Sequence, residues 1–446
     1  MSKLLLTNAR LINEGEIKDV DVLIENEHIS QINTSIQASN GYSVIDLDGK
    51  YLMPGMIDDQ VHFREPGMTH KADLATESAA AVAGGITSFM DMPNVDPQTT
   101  TRAALRDKYN MAENRCTANY GFYLGATNSN IEEIKALTVG EGAGIKAFLG
   151  ASTGDMLVDN PKALERIFKH APTIVLTHCE DSPMIWESEQ KAREIYGEDV
   201  PFSMHPVIRS ADACLKSSQF AVNLATQYDA LLHVLHLTTA IEMNLFNSDH
   251  RSKKRITAEA CVHHLWFDES KYEELGSKIK CNPAIKGEED RRAIISALND
   301  KRIDVIATDH APHTSSEKEG KYFETPAGLP LVQHALQILF DLSARNEISP
   351  ELIVDRACHA PADIFGISKR GYVREGWFAD LVIINPNKTH LVTSSNLLSK
   401  CQWSPFESHE FSSSVDTTIV NGKIVYKDGS LTGDIGGQKL IFTRGR

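Results

Sequence analysis

The chain has no apolar run of membrane-spanning length, no Cys-x-x-Cys pair and no surplus of basic residues. Each gap removes a class of protein. A transmembrane helix needs about 20 consecutive, mostly apolar residues, and no stretch approaches that. The start, Met1-Ser2-Lys3 followed by three leucines, is too short for the apolar region of a secretory signal. A cytoplasmic protein is the simplest expectation. The seven cysteines, at 116, 179, 214, 261, 281, 358 and 401, are odd in number and scattered. A disulfide framework or a thiolate zinc site is therefore not expected, and they read as reduced, mostly buried thiols. With 45 basic against 60 acidic residues, the net charge of -15 opposes a nucleic-acid-binding surface. It does not oppose a small anionic substrate, because a local pocket can carry the opposite sign. No solenoid period and no low-complexity tract is present.

What is present is length and alternation. A chain of 446 residues exceeds one small core and suggests a large domain of barrel size beside a smaller one. Residues 3 to 53 hold short β-type runs, Leu4-Leu6, Val20-Ile24 and Val44-Leu47, separated by charged or Asn/Gly breaks. From Pro54 onward, short apolar strands alternate with amphipathic stretches, the pattern of a parallel α/β architecture. Eight candidate strands follow: 57–63, 87–90, 119–124, 145–148, 174–177, 231–235, 256–260 and 305–308. Eight closes a (β/α)8 barrel. Helices are expected at 72–83, 101–115, 161–170, 211–228 and 290–299, the first stopping at Gly84-Gly85 as a helix C-terminus should. Beyond about residue 370 the β texture returns, with Asn421-Gly422 marking a hairpin turn. The two β-rich ends are each too small to bury a core, so they are expected to pair into one sandwich. The expected organisation is residues 1–53 and 371–446 forming a small β-sandwich domain around a 54–370 (β/α)8 TIM barrel.

The stretch Asp58-Asp59-Gln60-Val61-His62-Phe63-Arg64-Glu65-Pro66-Gly67 carries the first chemical signal. Strand alternation would put Asp58, Gln60, His62 and Arg64 on one side and Ile57, Val61 and Phe63 on the other. By itself this describes a solvated edge strand as well as a site. The other strand ends decide. Catalytic groups of such barrels sit at the C-terminal ends of the strands. There the chain places His62 and Arg64, then Asp91-Met92-Pro93-Asn94, Lys146, His178, His236 and Asp309. Each alone has a bland account as a cap or a packed ring. Three histidines and an aspartate at one rim are a donor set for Zn2+ or a similar ion. Lys146 is in phase with Phe148 and faces the barrel interior, where an unpaired ammonium is costly. Either its tip reaches the rim to pair with an acid, or CO2 has converted the amine to a carbamate. Asp309 is placed either to shuttle a proton beside a metal or to cap the next helix. His233, out of phase with His236, and His263-His264, beyond the seventh strand, are left outside the site.

These residues resemble the amidohydrolase superfamily and, within it, the dihydroorotases, which interconvert N-carbamoyl-aspartate and dihydroorotate in pyrimidine biosynthesis. The likeness spans nearly the whole chain: Pro54-Gly55-Met56-Ile57-Asp58, His62-Phe63-Arg64-Glu65-Pro66-Gly67, Asp91-Met92-Pro93-Asn94, Thr308-Asp309-His310-Ala311-Pro312-His313 with Lys318, and Ala379-Asp380-Leu381-Val382. The strand-end His and Lys positions are shared with hydantoinases and allantoinases. Arg64 and His313 narrow the match. The resemblance implies that Arg64, Asn94 and His313 hold the substrate carboxylate, to which a guanidinium fork is well matched. It implies that Asn282 and the backbone of Ala327 and Gly328 touch the ring. It implies His62 and Asp309 on one zinc ion, His178 and His236 on the other, carboxylated Lys146 between them, and Asp309 as general acid and base. His62 thus stands both among the metal ligands and beside the substrate. A homodimer is the family expectation. The departure is Gln60, where the family has histidine; a neutral amide oxygen is a weaker zinc ligand than imidazole. One ion or two, or a non-catalytic partner of aspartate carbamoyltransferase, are the readings this leaves open.

Overall fold

The computed structural model describes residues 3–150 and 156–446. Five strands come first: β1 Lys3–Asn13, β2 Glu16–Glu25, β3 His28–Asn33, β4 Ser43–Asp46 and β5 Tyr51–Pro54. Eight follow: β6 Met56–Val61, β7 Ile86–Asp91, β8 Asn119–Gly125, β9 Gly144–Phe148, β10 Val175–His178, β11 Leu232–Val234, β12 Ile256–Cys261 and β13 Val305–Ala307. The last six are β14 Leu381–Asn385, β15 His390–Leu391, β16 Glu410–Phe411, β17 Ser414–Val420, β18 Lys423–Lys427 and β19 Ser430–Leu431.

Strands β6 to β13 pair in sequence order and in parallel. They are buried almost throughout, which is why they read as short apolar runs without alternation. The ring closes where Val61 bridges His310 in parallel and the His62 N–H donates to the His310 carbonyl at 2.7 Å. All eight strands lie where the sequence places them, and the fold is the expected (β/α)8 barrel with a β domain. At the N-terminal end of the barrel, Ile57, Ile174, Leu231 and Val305 pack with Phe365, Leu440 and Phe442. That end is filled by apolar side chains.

The helices start and stop on local chemistry. In Leu74–Ala83 the Asp73 carboxylate accepts from the N–H groups of Ala75 and Thr76 in a capping box. The chain then turns through Gly85 at φ 81°, where a Cβ would lie 2.5 Å from Leu336 and 2.9 Å from Val382. Pro161–His170 begins with an Asn160 cap and proline in its first turn, and buries Ala163, Leu164, Ile167 and Phe168.

The second sheet has the order β19-β18-β17-β14-β5-β1-β2-β3, with β4 on β1. It thus draws strands from both ends of the chain. Asn421 and Gly422, at φ 49° and 74°, turn β17 into β18, as Asn-Gly favours. The Ala379-Asp380-Leu381-Val382 segment serves the join between sheet and barrel. Buried Asp380 is paired with Arg370, accepts from barrel residue Asn119 at 3.0 Å and from the Asn421 N–H at 2.8 Å, and its carbonyl receives the Gly55 N–H at 2.9 Å. Removing one member of a buried, hydrogen-bonded ion pair costs about 3–5 kcal/mol. Asp380→Ala should therefore lower the unfolding free energy by that amount in denaturant titration, with little change in the barrel's strand-end geometry.

The first barrel strand differs from expectation in an instructive way. It ends at Val61 rather than Phe63, and its pairing with β7 shifts register between Asp58 and Val61. Simple alternation therefore fails for Asp58, while Gln60, His62 and Arg64 still line one cavity. Asp58 turns away to accept from the Thr308 N–H at 3.1 Å and hydroxyl at 2.6 Å. Asp59 faces His233, 3.1 Å away. Arg64 reaches the rim through a left-handed backbone at φ 67°, not through strand periodicity.

Candidate active site

At the C-terminal ends of the strands lies a cavity of about 360 Å³ lined by Gln60, His62, Arg64, Asn94, Lys146, Phe148, His178, Arg209, His236, Asn282, Asp309, Ala311, His313, Pro326, Ala327 and Gly328. Gln60, His62, Arg64, Asn94, Lys146, His178, His236, Asn282, Asp309, His313, Ala327 and Gly328, the site residues expected from the sequence, all line this cavity. Three of them, Arg64, His236 and Asp309, hold positive φ values of 67°, 39° and 50°. Such conformations cost non-glycine residues of order 1–3 kcal/mol and persist where the surroundings over-determine them. For His236 the clamp is Glu259, whose carboxylate accepts the His236 N–H at 2.9 Å.

One wall is built from nitrogen donors. Lys146 is fully buried, its Nζ has no hydrogen-bond partner, and it lies 4.6 Å from the centre of the Phe148 ring. Burial pulls its ammonium down to about 8, against the opposing pull of Asp309 and Glu259. The His178 and His236 rings meet nitrogen to nitrogen, Nδ1 to Nε2, at 2.9 Å, and His236 Nδ1 has no partner. Burial lowers both imidazoles from their ordinary range, which favours the neutral rings that ligate metals. An unpaired amine beside two neutral imidazoles fits the donor set of a divalent ion.

The opposite wall is cationic. Arg64 donates from Nε to the Pro312 carbonyl at 3.0 Å, and its Nη2 lies 3.1 Å from His313 Nε2. Burial lowers it only to about 10, so the guanidinium stays charged at neutral pH. Lys71 Nζ lies 3.1 Å from His313 Nδ1, and His313 Nε2 lies 3.0 Å from the Ala327 carbonyl. Burial, then Arg64 and Lys71, push His313 far below the imidazole range. Lys318 fixes the same loop through the carbonyls of Pro326 at 2.9 Å and Gly328 at 3.0 Å. The Oδ1 of Asn282 is buried without a partner, an acceptor left for a ligand.

Between the walls, Asp309 Oδ1 accepts from Gln60 Nε2 at 3.0 Å and from His62 Nε2 at 3.1 Å, while His62 Nδ1 meets Asn94 Oδ1 at 2.8 Å. Burial would raise the Asp309 carboxyl, but the His62 hydrogen bond and charge hold it below its ordinary value.

Two contributors escape sequence reasoning. Glu180, fully buried, accepts from His178 Nε2 at 2.8 Å and is paired with Arg209. Against its burial, Arg209 and His178 hold its carboxyl at about 2. The spacing His178-Cys179-Glu180 could have found it. Nothing could have found Arg209, which ends the short helix His205–Ile208 far from any strand end. Because Glu180 takes the Nε2 proton, His178 presents Nδ1 to the cavity, the second-sphere arrangement that typically changes metal affinity 10- to 100-fold. Glu180→Gln should weaken binding of an added divalent ion by about that factor in chelator competition, and Arg209→Met should do so less.

Neither His233, His263 nor His264 lines the cavity. His233 lies 3.1 Å from Asp59 and 3.7 Å from Glu259. Burial lowers it, but the two carboxylates outweigh this and hold it up at about 9. His263 and His264 are buried beside Cys261. All seven cysteines are buried and free, as expected. Among the described residues no helix is long and apolar enough to cross a membrane.

A barrel with lysine and histidine donors at its strand ends, facing a buried arginine, defines a class. Residues 51–425 match the amidohydrolase family, and the chain belongs to that family. It is an enzyme, a cyclic amidohydrolase. The dihydroorotase of Methanosarcina acetivorans is 30% identical over 453 residues, covering 99% of this chain and 96% of that one. The dihydroorotase of Halobacterium salinarum is 31% identical over 406 residues, covering 90% and 91%. Among solved structures, the L-hydantoinase of Arthrobacter aurescens superposes with a TM-score of 0.92 at 23% identity, covering 99% of this chain and 100% of that one. The dihydropyrimidinase of Brevibacillus agri gives 0.89 at 23%, with the same coverage. These structural matches speak to fold alone.

Proposed function

We propose that the enzyme is a dihydroorotase, reversibly cyclising N-carbamoyl-L-aspartate to L-dihydroorotate in de novo pyrimidine biosynthesis. The observation that carries this reading is the buried Arg64–His313 wall with Asn94, set across one small cavity from Lys146, His178, His236 and Asp309. A hydantoin or allantoin ring has no carboxylate to offset a desolvated guanidinium, whereas dihydroorotate does. The curated relatives named above support the same reading, and an intact cavity weighs against a non-catalytic partner of aspartate carbamoyltransferase.

In this assignment Arg64, Asn94 and His313 grip the carboxylate, with Asn282 and the backbone of Ala327 and Gly328 along the ring. His178, His236 and Lys146 would hold zinc. Such an ion supplies Lewis-acid polarisation of a carbonyl and lowers the pKa of water. Lys146, whose burial brings its free amine within reach near pH 8, can add to the carbon of CO2 and lose a proton. That step makes the anionic carbamate and removes a buried cation. Asp309 moves the proton. In hydrolysis it takes one from the water that adds to the ring carbonyl and delivers it to the ring nitrogen as the C–N bond breaks; in cyclisation it accepts one from the attacking ureido nitrogen and delivers it to the carboxyl oxygen that leaves as water.

Purified enzyme should turn over dihydroorotate with a kcat/KM at least about 100-fold above that for hydantoin or allantoin, the discrimination expected when a charged pocket group goes unpaired. Equal turnover of hydantoin would overturn the assignment.

A further inference from the structure

The two halves of the nitrogen-and-carboxylate wall are not equivalent. In one, Lys146 Nζ is a buried polar atom without a partner, and beside it His178 Nδ1 and His236 Nε2 face one another at 2.9 Å. Buried polar groups left unpaired are costly, and an ion among them would remove that cost. In the other half no side-chain polar atom of Gln60, His62 or Asp309 is both buried and unpartnered. Asp309 Oδ1 already takes two N–H donors, from Gln60 and His62, and His62 uses its second nitrogen on Asn94.

The orientation of Gln60 is fixed by this neighbourhood. Its Nε2 lies 3.0 Å from a carboxylate oxygen, where the amide oxygen would be repelled. Its Oε1 is turned instead toward the Cys261 thiol, 4.0 Å away. An ion beside Asp309 and His62 would therefore meet an N–H from Gln60, not a lone pair. To offer oxygen, the amide would have to reverse, remove a donor from Asp309 and still present only a neutral carbonyl, which suits zinc less than imidazole does.

We infer that this enzyme works with one resident divalent ion, held by Lys146, His178 and His236, and that the Gln60 amide and the His62 ring take the place of a second cation at Asp309. This rests on the metal-dependent reading of the site, not on the identity of the substrate.

The test is metal content by mass spectrometry and zinc titration, on wild type and on Gln60→His, after reconstitution with excess zinc and bicarbonate. Wild type should saturate at about one ion per chain, and Gln60→His, which supplies an imidazole as a third donor beside His62 and Asp309, at about two. A crystal structure of the zinc-loaded wild type with anomalous scattering should show a single peak, beside Lys146, His178 and His236. Two ions in wild type, or a single peak against His62 and Asp309, would overturn the inference whether or not the variant folds. A dihydroorotate assay on the same samples separates the two proposals. One ion without dihydroorotate turnover supports the ion count and overturns the substrate. Two ions with turnover does the reverse.

Discussion

Arg64→Ala should lose dihydroorotate turnover almost completely while keeping its metal. Truncating one member of a desolvated, hydrogen-bonded charge pair costs about 2–5 kcal/mol or more, or roughly 30- to 4000-fold in kcat/KM. The loss should fall on this substrate class alone, because Arg64 touches Pro312 and His313 and none of Lys146, His178 or His236. Arg64→Lys keeps the charge but loses the planar fork, so it should fall between wild type and Ala. The decisive comparison is zinc content against kcat/KM in the same preparation. Metal loss that parallels activity loss in Arg64→Ala would assign the arginine to the metal-holding framework and remove the chief reason for preferring a carboxylated substrate.

The legible part of this molecule is the part governed by short-range rules. The eight barrel strands could be found because strands buried on both faces must be short and apolar, and the helices between them because Asp73, Asn160 and Gly84-Gly85 cap them with ordinary chemistry. The cavity residues could be found because the architecture forces function to one rim, so that a polar residue after each strand is informative. What escaped depends on the backbone leaving regularity. Arg64 was expected beside Gln60 and His62, where it lies, but it gets there through a left-handed turn that alternation does not describe. Asp58 and Asp59 were one step from a register shift that no residue type announces, and each found a buried partner across the barrel, Thr308 and His233. Arg209 is remote in sequence from every ligand, and only the folded chain brings it to Glu180. Gln60 was visible as a departure. That its N–H, rather than its oxygen, meets Asp309 is a statement about side-chain orientation, which sequence does not contain.

Asp309→Asn should lower kcat by about 10²- to 10⁴-fold, the usual contribution of a positioned acid–base group, with the cavity left intact. The substitution is a clean probe because an amide oxygen can still accept from Gln60 and His62 while the titrating function is gone. The pH dependence gives the sharper result. Asp309 is held below its ordinary carboxylate range, chiefly by His62 working against burial. Its ionised form, the base, therefore persists through neutral pH, and the rate should decline only as pH falls through that depressed value. In Asp309→Asn the acidic limb should vanish and leave a low, flat residual rate. Gln60→Leu removes one N–H donor from the carboxylate. Loss of a donor to the charged form raises the pKa, so the acidic limb should move toward higher pH with the zinc content unchanged. If the limb stays in place in Gln60→Leu yet disappears in Asp309→Asn, the Gln60 hydrogen bond contributes nothing to the ionisation of Asp309. A limb that survives in Asp309→Asn would assign the titration, and with it the proton transfer, to another group in the cavity.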